Sequence, residues 1–88
     1  MTRQTMVISG KVAGVSGDPI AGARVCFIEG PVALPDIAAL TNDQGAFSLS
    51  APAAGGYRLK CVADDLRPVE VDVVVEQGLN QEVNIRLT

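Results

Sequence analysis

Residues 41–61 read TNDQGAFSLSAPAAGGYRLKC, and this stretch decides the fold. Its opening, Thr41-Asn42-Asp43-Gln44-Gly45, is turn chemistry: Asn and Asp tolerate tight turns, and Gly takes the positive φ that closes a hairpin. Asn42, Asp43 and Gly45 are therefore expected to form a structural turn. A β-branched residue at Gly45 is expected to cost on the order of 1–2 kcal/mol. Behind the turn, Phe47 and Leu49 alternate with Ala46, Ser48 and Ser50, the period of two that marks a half-buried strand. The run APAAGG at 51–56 breaks that strand at a corner. Tyr57, Leu59 and Cys61 then share one face of the next strand, with Arg58 and Lys60 on the other.

The same alternation extends in both directions. Upstream, residues 6–15, MVISGKVAGV, read as a first strand, and a glycine inside it marks a bulge or the close approach of another backbone. Ser16-Gly17-Asp18-Pro19 is a turn. Residues 23–29 form a second strand, with Val25 and Phe27 on one face and Arg24, Cys26 and Ile28 on the other. The segment 30–36, GPVALPD, is bounded by two prolines that discourage a helix, and 37–41 is a short third strand leading into the hairpin. Downstream, Val69, Val71, Val73 and Val75 alternate with Glu70, Asp72, Val74 and Glu76. Gln77-Gly78-Leu79-Asn80 turns the chain, and Val83, Ile85 and Leu87 face inward on the last strand. The expected core is Val25, Phe27, Phe47, Leu49, Tyr57, Leu59, Val71, Val73, Ile85 and Leu87.

Seven short strands with regularly spaced turns and no helical period define an all-β sandwich. The 88 residues make one domain, 1–88, with a core from about residue 6. Hydrophobic residues are 48% of the chain and aromatic ones 3%, so the core must be built from Val, Ile, Leu and Ala. A net charge of −3 excludes the basic patch that nucleic acid requires. The acids Asp64, Asp65, Glu70, Asp72, Glu76 and Glu82 read as a solvated strand face. With no histidine, the chain lacks the commonest general base and the commonest metal ligand. Two cysteines alone make no structural zinc site, so neither metal nor cofactor is expected. No apolar run reaches the ~20 residues that span a membrane, and the start MTRQTMVISG has no signal-peptide core. The expectation is no membrane insertion and a cytoplasmic chain, unless another route exports it or it is cut from a larger exported protein.

The ordered pieces ISGKV, GDPIAGARV, TNDQGAFSL, GGYRLKC and NIRL, spread over residues 7–87, resemble the carboxypeptidase regulatory-like domain. The resemblance implies a seven-stranded Greek-key β-sandwich of the transthyretin-like (prealbumin-like) kind. It also implies an accessory module with no catalytic motif, attached to peptidases, receptors and surface or secretion-associated proteins.

Three sharper chemistries are set against that reading. Hydroxyisourate hydrolases of the transthyretin-like superfamily use histidines and a C-terminal tetrapeptide, whereas this chain has no histidine and ends Ile85-Arg86-Leu87-Thr88. No catalysis is expected. Pilin-like domains that resemble this fold join a Lys of the first strand to an Asn of the last. Lys11 and Asn84 occupy such strands, but strand parity points both to solvent, away from the burial that chemistry needs. Cys26 and Cys61 fall on opposite faces, which excludes a disulfide.

The reading left standing is a structural module whose partner is another protein, in an oligomeric state the sequence does not fix. A carbohydrate- or small-ligand-binding sandwich is the alternative. It is disfavoured because Phe27, Phe47 and Tyr57, the only aromatics, all take core parity. The candidate contact is the loop 30–36, where Val32 and Leu34 are apolar residues with no strand parity to bury them. An unpaired sheet edge is the second candidate.

Overall fold

The alternation of apolar and polar residues is realised as seven strands in two sheets, β1 (Met6–Ala13), β2 (Arg24–Glu29), β3 (Ala38–Leu40), β4 (Ala46–Ala51), β5 (Gly55–Val62), β6 (Val69–Val75) and β7 (Gln81–Arg86). This is a computed structural model that describes residues 6–34, 38–64 and 66–87. The expected start of the third strand at Ile37, the loop end at Pro35 and Asp36, and the acid Asp65 lie outside the described residues. One sheet has the order β4-β1-β7, the other β3-β2-β5-β6. Every strand pair is antiparallel except β1 with β7, which run parallel from Ile8↔Gln81 to Ala13↔Arg86.

Period-two patterning sets which face each strand buries. Met6, Ile8 and Val12 of β1 point inward and Lys11 outward, and β4 buries Phe47, Leu49 and Ala51 while exposing Ser48 and Ser50. Ile8, Val12, Val25, Leu59, Cys61, Val75 and Leu87 are the largest fully buried side chains. Each aliphatic one of them contributes about 1.5–3 kcal/mol relative to exposure. Val71 departs from the expected core and is only half-buried. It sits on β6, the outer strand of its sheet, so one flank meets no further strand.

Gly10 lies in the middle of β1, opposite Val83 of β7. A Cβ there would fall 1.6 Å from the Val83 carbonyl oxygen, so the two backbones approach where only glycine fits. The first strand stops at Ala13 rather than Val15. Gly14 N–H donates to the Asp18 carbonyl and Gly17 N–H to the Gly14 carbonyl, which folds the chain into a tight turn.

The expected hairpin at 42–45 is corrected by the sheet topology. The turn joins β3 of one sheet to β4 of the other, so it crosses the sandwich instead of pairing its flanking strands. Gly45, at φ 75°, donates to the Asn42 carbonyl at 2.8 Å and closes the turn. Its own carbonyl is then taken by Val12 N–H at 2.8 Å. The chain leaving the turn is thereby captured by β1, which redirects Ala46–Ala51 into the first sheet.

Candidate protein-contact surface

Strand direction sorts the loops onto two ends of the sandwich. Glu29 ends β2 beside Arg58, and Gly55 and Gly56 begin β5 beside Val75 and Val74. Residues 30–34, the corner 52–54 and the turn 76–80 therefore share one end. The loop 30–34 is anchored there by glycines that admit its side chains. A Cβ on Gly30 would lie 2.8 Å from Leu34 Cδ2 and 2.9 Å from the Tyr57 ring. A Cβ on Gly55, whose φ is 140°, would lie 2.9 Å from Pro31. Pro31 and Leu34 thus press the loop onto the end of the core, and Leu34 is half-buried against it. Val32 is left outside at 46% exposure. The two candidate contact residues are separated: one leans on the core, the other faces out.

Further apolar surface gathers at the same end. Val74 is 65% exposed because its register partner is Gly56, which has no side chain to cover it. Leu79 is 51% exposed on the turn that leads into β7, and Ile28 is exposed at the β2 bulge. Polar contacts also hold these loops. The Tyr57 hydroxyl donates to the Ala53 carbonyl at 2.5 Å and accepts from Ala53 N–H at 3.0 Å. Asn80 Oδ1 accepts from Val7 N–H at 3.0 Å, tying the Leu79 turn to β1.

The opposite end is closed by backbone hydrogen bonds. Thr41 is the buried polar residue at its centre: Oγ1 donates to the Ile20 carbonyl at 2.6 Å and accepts from Ala23 N–H at 2.9 Å. Its own N–H donates to the Ala23 carbonyl and its carbonyl accepts from Gly22 N–H. Asn42 Oδ1 accepts from the N–H groups of Gln44 and Ala46, while Asp43 is exposed at the tip. Sequence reading placed Thr41 in the turn and missed its buried role. The signal for it is a β-branched hydroxyl preceding a turn, beside the connector 19–22 whose backbone groups it bonds.

Lys11 and Asn84 are register partners on the outer face of the first sheet, and both are exposed. Cys26 and Cys61 are free thiols. Val25 pairs with Cys61 and Cys26 with Lys60, which puts the two sulfurs on opposite faces of one sheet. Burial pushes the Cys61 thiol up, with a smaller contribution from Cys26. On the outer face of the second sheet, Arg58 Nε donates to Asp72 at 2.9 Å and its Nη1 lies 3.9 Å from Glu29. Asp72 foremost raises the Arg58 guanidinium above its ordinary value. Among the described residues no three His, Cys, Asp or Glu side chains cluster to hold a metal ion, and no helix is long and apolar enough to cross a membrane.

A seven-stranded sandwich of two sheets around a single apolar core defines the class. Residues 7–88 match the carboxypeptidase regulatory-like domain, and the chain belongs to that family. No curated protein matches the chain by sequence. Among solved structures it is similar to the major pilin subunit of Bacillus cereus, with a TM-score of 0.75 and 12% identity over 94% of this chain and 28% of that one. A chain in the type II cohesin–X-dockerin complex of Acetivibrio cellulolyticus gives a TM-score of 0.71 and 19% identity, covering 93% of this chain and 56% of that one. The chain thus spans only a part of either protein. A third likeness is to the dioxygenase domain of a dioxygenase carbohydrate-binding protein fusion from Streptomyces sp. SirexAA-E, with a TM-score of 0.69, 13% identity, and coverage of 97% and 80%. At these identities the likeness shows the fold alone. The fold is shared by assembly modules and by at least one enzyme domain.

Proposed function

We propose that the chain is a non-catalytic accessory module that meets another protein at the end carrying residues 30–34, with Val32 as its apolar anchor. The observation that carries this reading is the position of Val32. It stands exposed on a loop whose backbone is held by Pro31 against Gly55 and by Leu34 against Gly30 and Tyr57. A pre-ordered apolar side chain loses little conformational entropy on binding. Val74 and Leu79 are further exposed apolar side chains on the same end. Similarity to a pilin subunit and to a chain of a cohesin–X-dockerin complex supports a role within an assembly. Sugar binding is disfavoured, because Phe27, Phe47 and Tyr57 are all buried and offer no ring face to stack on.

The test is site-specific photo-crosslinking in the native host. A photoreactive residue in place of Val32 is expected to give a discrete protein adduct, and one in place of Ser16, on the opposite end, none. The adduct is expected to disappear when Val74→Ser is added. Equal labelling from both positions, or none from position 32, overturns the reading.

A further inference from the structure

Gly56 and Val74 are register partners on the outer face of the second sheet. Gly56 presents no side chain beside Val74, and a Cβ built on it meets nothing within 4 Å. The bare glycine leaves a notch, an open groove of about 260 Å³ with Val74 as one wall. The other wall is charged. Arg58 lies two residues along β5, Asp72 two residues along β6, and Glu29 is the register partner of Arg58 on β2. Arg58 Nε donates to Asp72 Oδ1 at 2.9 Å, whereas Glu29 stands 3.9 Å from Nη1, beyond hydrogen-bond distance. Two carboxylates thus share one guanidinium, and the looser of them, Glu29, is 69% exposed. Farther along the sheet Glu70 has Lys60 as its register partner, so the excess negative charge sits at the notch. The notch also adjoins the loop 30–34. Glu29 directly precedes Gly30, and Pro31 rests on Gly55, the neighbour of Gly56.

We propose that this notch receives a lysine or arginine side chain of the protein met at the loop end. The inference rests on the contact proposed for that end and names the chemistry that the partner brings to it. A long cationic side chain lays its methylene stem on apolar surface and keeps its charged head among polar groups. Here the stem crosses the Gly56 backbone against Val74, and the head reaches the Glu29 carboxylate and the second oxygen of Asp72. The charges select this occupant over the others. An acidic side chain would meet two carboxylates for one guanidinium, and like charges brought together across a contact repel. A neutral apolar side chain would cover Val74 but strip water from Glu29 without giving it a partner.

Titration of the 15N-labelled chain with capped single residues at low salt reads the notch directly. The probes are the N-acetyl methylamides of arginine, lysine, norleucine and glutamate, each taken to ~100 mM, where a single side-chain contact is populated. At least one cationic probe is expected to give saturable shifts of the Glu29, Gly56 and Val74 amides, and the norleucine and glutamate probes none. Gly56→Val fills the notch and Glu29→Gln removes its loosest charge. Each should weaken the cationic probe by roughly threefold or more, while Glu82→Gln on the other sheet leaves it unchanged. Positions 29, 56 and 82 are exposed, so thermal melts should match the wild type and show that the variants fold. In the host, Glu29→Lys should lower the yield of the Val32 photo-adduct by roughly threefold or more. No saturable shift from either cation, an equal response to norleucine, or equal losses with Glu82→Gln and Glu29→Gln each overturns the inference. An adduct indifferent to Glu29→Lys overturns it too, and leaves the contact at Val32 standing. Probe binding with no adduct from position 32 supports the cation-binding notch and overturns the contact at Val32 alone.

Discussion

The two ends of this sandwich are closed by different means. At the Thr41 end, backbone and side-chain hydrogen bonds link the connector 19–22, the turn 42–45 and β1 into one network. At the loop end, apolar side chains lie against glycines, and Tyr57 and Asn80 are among the side chains that add polar contacts. Buried hydrogen-bonding groups tolerate little displacement, because a partner lost in the interior costs the full desolvation of the group left behind. Apolar contacts degrade more gradually, and a loop that rests on them can accept substitutions on its outer side. One end fixes the topology; the other is free to carry recognition.

The comparison breaks most readily at Gly45. A valine there adopts an unfavourable φ and places its Cβ 2.4 Å from the Val12 carbonyl oxygen. Gly45→Val should lose about 3 kcal/mol, a fall in Tm on the order of 15 °C. Gly56→Ala, at the loop end, meets nothing within 4 Å and should melt within a few degrees of the wild type. Equal sensitivity at the two glycines would erase the distinction. Next in size, Thr41→Val removes the partners of Ala23 N–H and the Ile20 carbonyl and should cost about 2 kcal/mol by urea unfolding. At the loop end the two apolar loop residues should part company. Leu34→Ser loses about 1 kcal/mol of contact with the core, whereas Val32→Ser stays within about 0.5 kcal/mol of the wild type. A Val32→Ser variant as unstable as Leu34→Ser would make the loop part of the core.

The smallest effect is one of pH. Burial raises the Cys61 thiol above its ordinary value, so the unfolded chain releases that proton first. Cys61 therefore contributes its full stability below about pH 8.5, the ordinary thiol value, and loses it as pH climbs toward the higher folded value. Melts between pH 7 and 10 should show a downward slope, and Cys61→Ala should flatten it whatever that variant's own stability.

The strands were legible because alternation is a local property: Phe47 and Leu49, Tyr57 and Leu59, Val73 and Val75 declare their buried face without reference to anything distant. The connection through 42–45 was misread for the complementary reason. Asn42 and Gly45 specify a tight turn, but which strand receives the chain afterwards depends on Val12 N–H, more than thirty residues upstream. Thr41 escaped notice on the same ground, since its partners Ile20 and Ala23 lie on and just beyond a connector with no alternation of its own. The strand glycine at position 10 signalled a close approach, and only the register shows that the approaching backbone is Val83. Val32 and Leu34 carry the same apolar signal in the sequence. Gly30, which makes room for one of them, is what tells them apart.

The parallel pairing of β1 with β7 has a mechanical consequence. Met6 lies at one end of the sandwich and Leu87 at the other, with six registered residue pairs, Ile8↔Gln81 to Ala13↔Arg86, between the two strands. Tension applied through these points pulls β1 and β7 past each other along their length. All of the hydrogen bonds between them are then loaded together, in shear. Antiparallel terminal strands, with both attachment points at one end, would instead unzip one bond at a time. A chain threaded this way can bear load along its long direction as a link bears it, with the Gly10–Val83 approach at the middle of the joint.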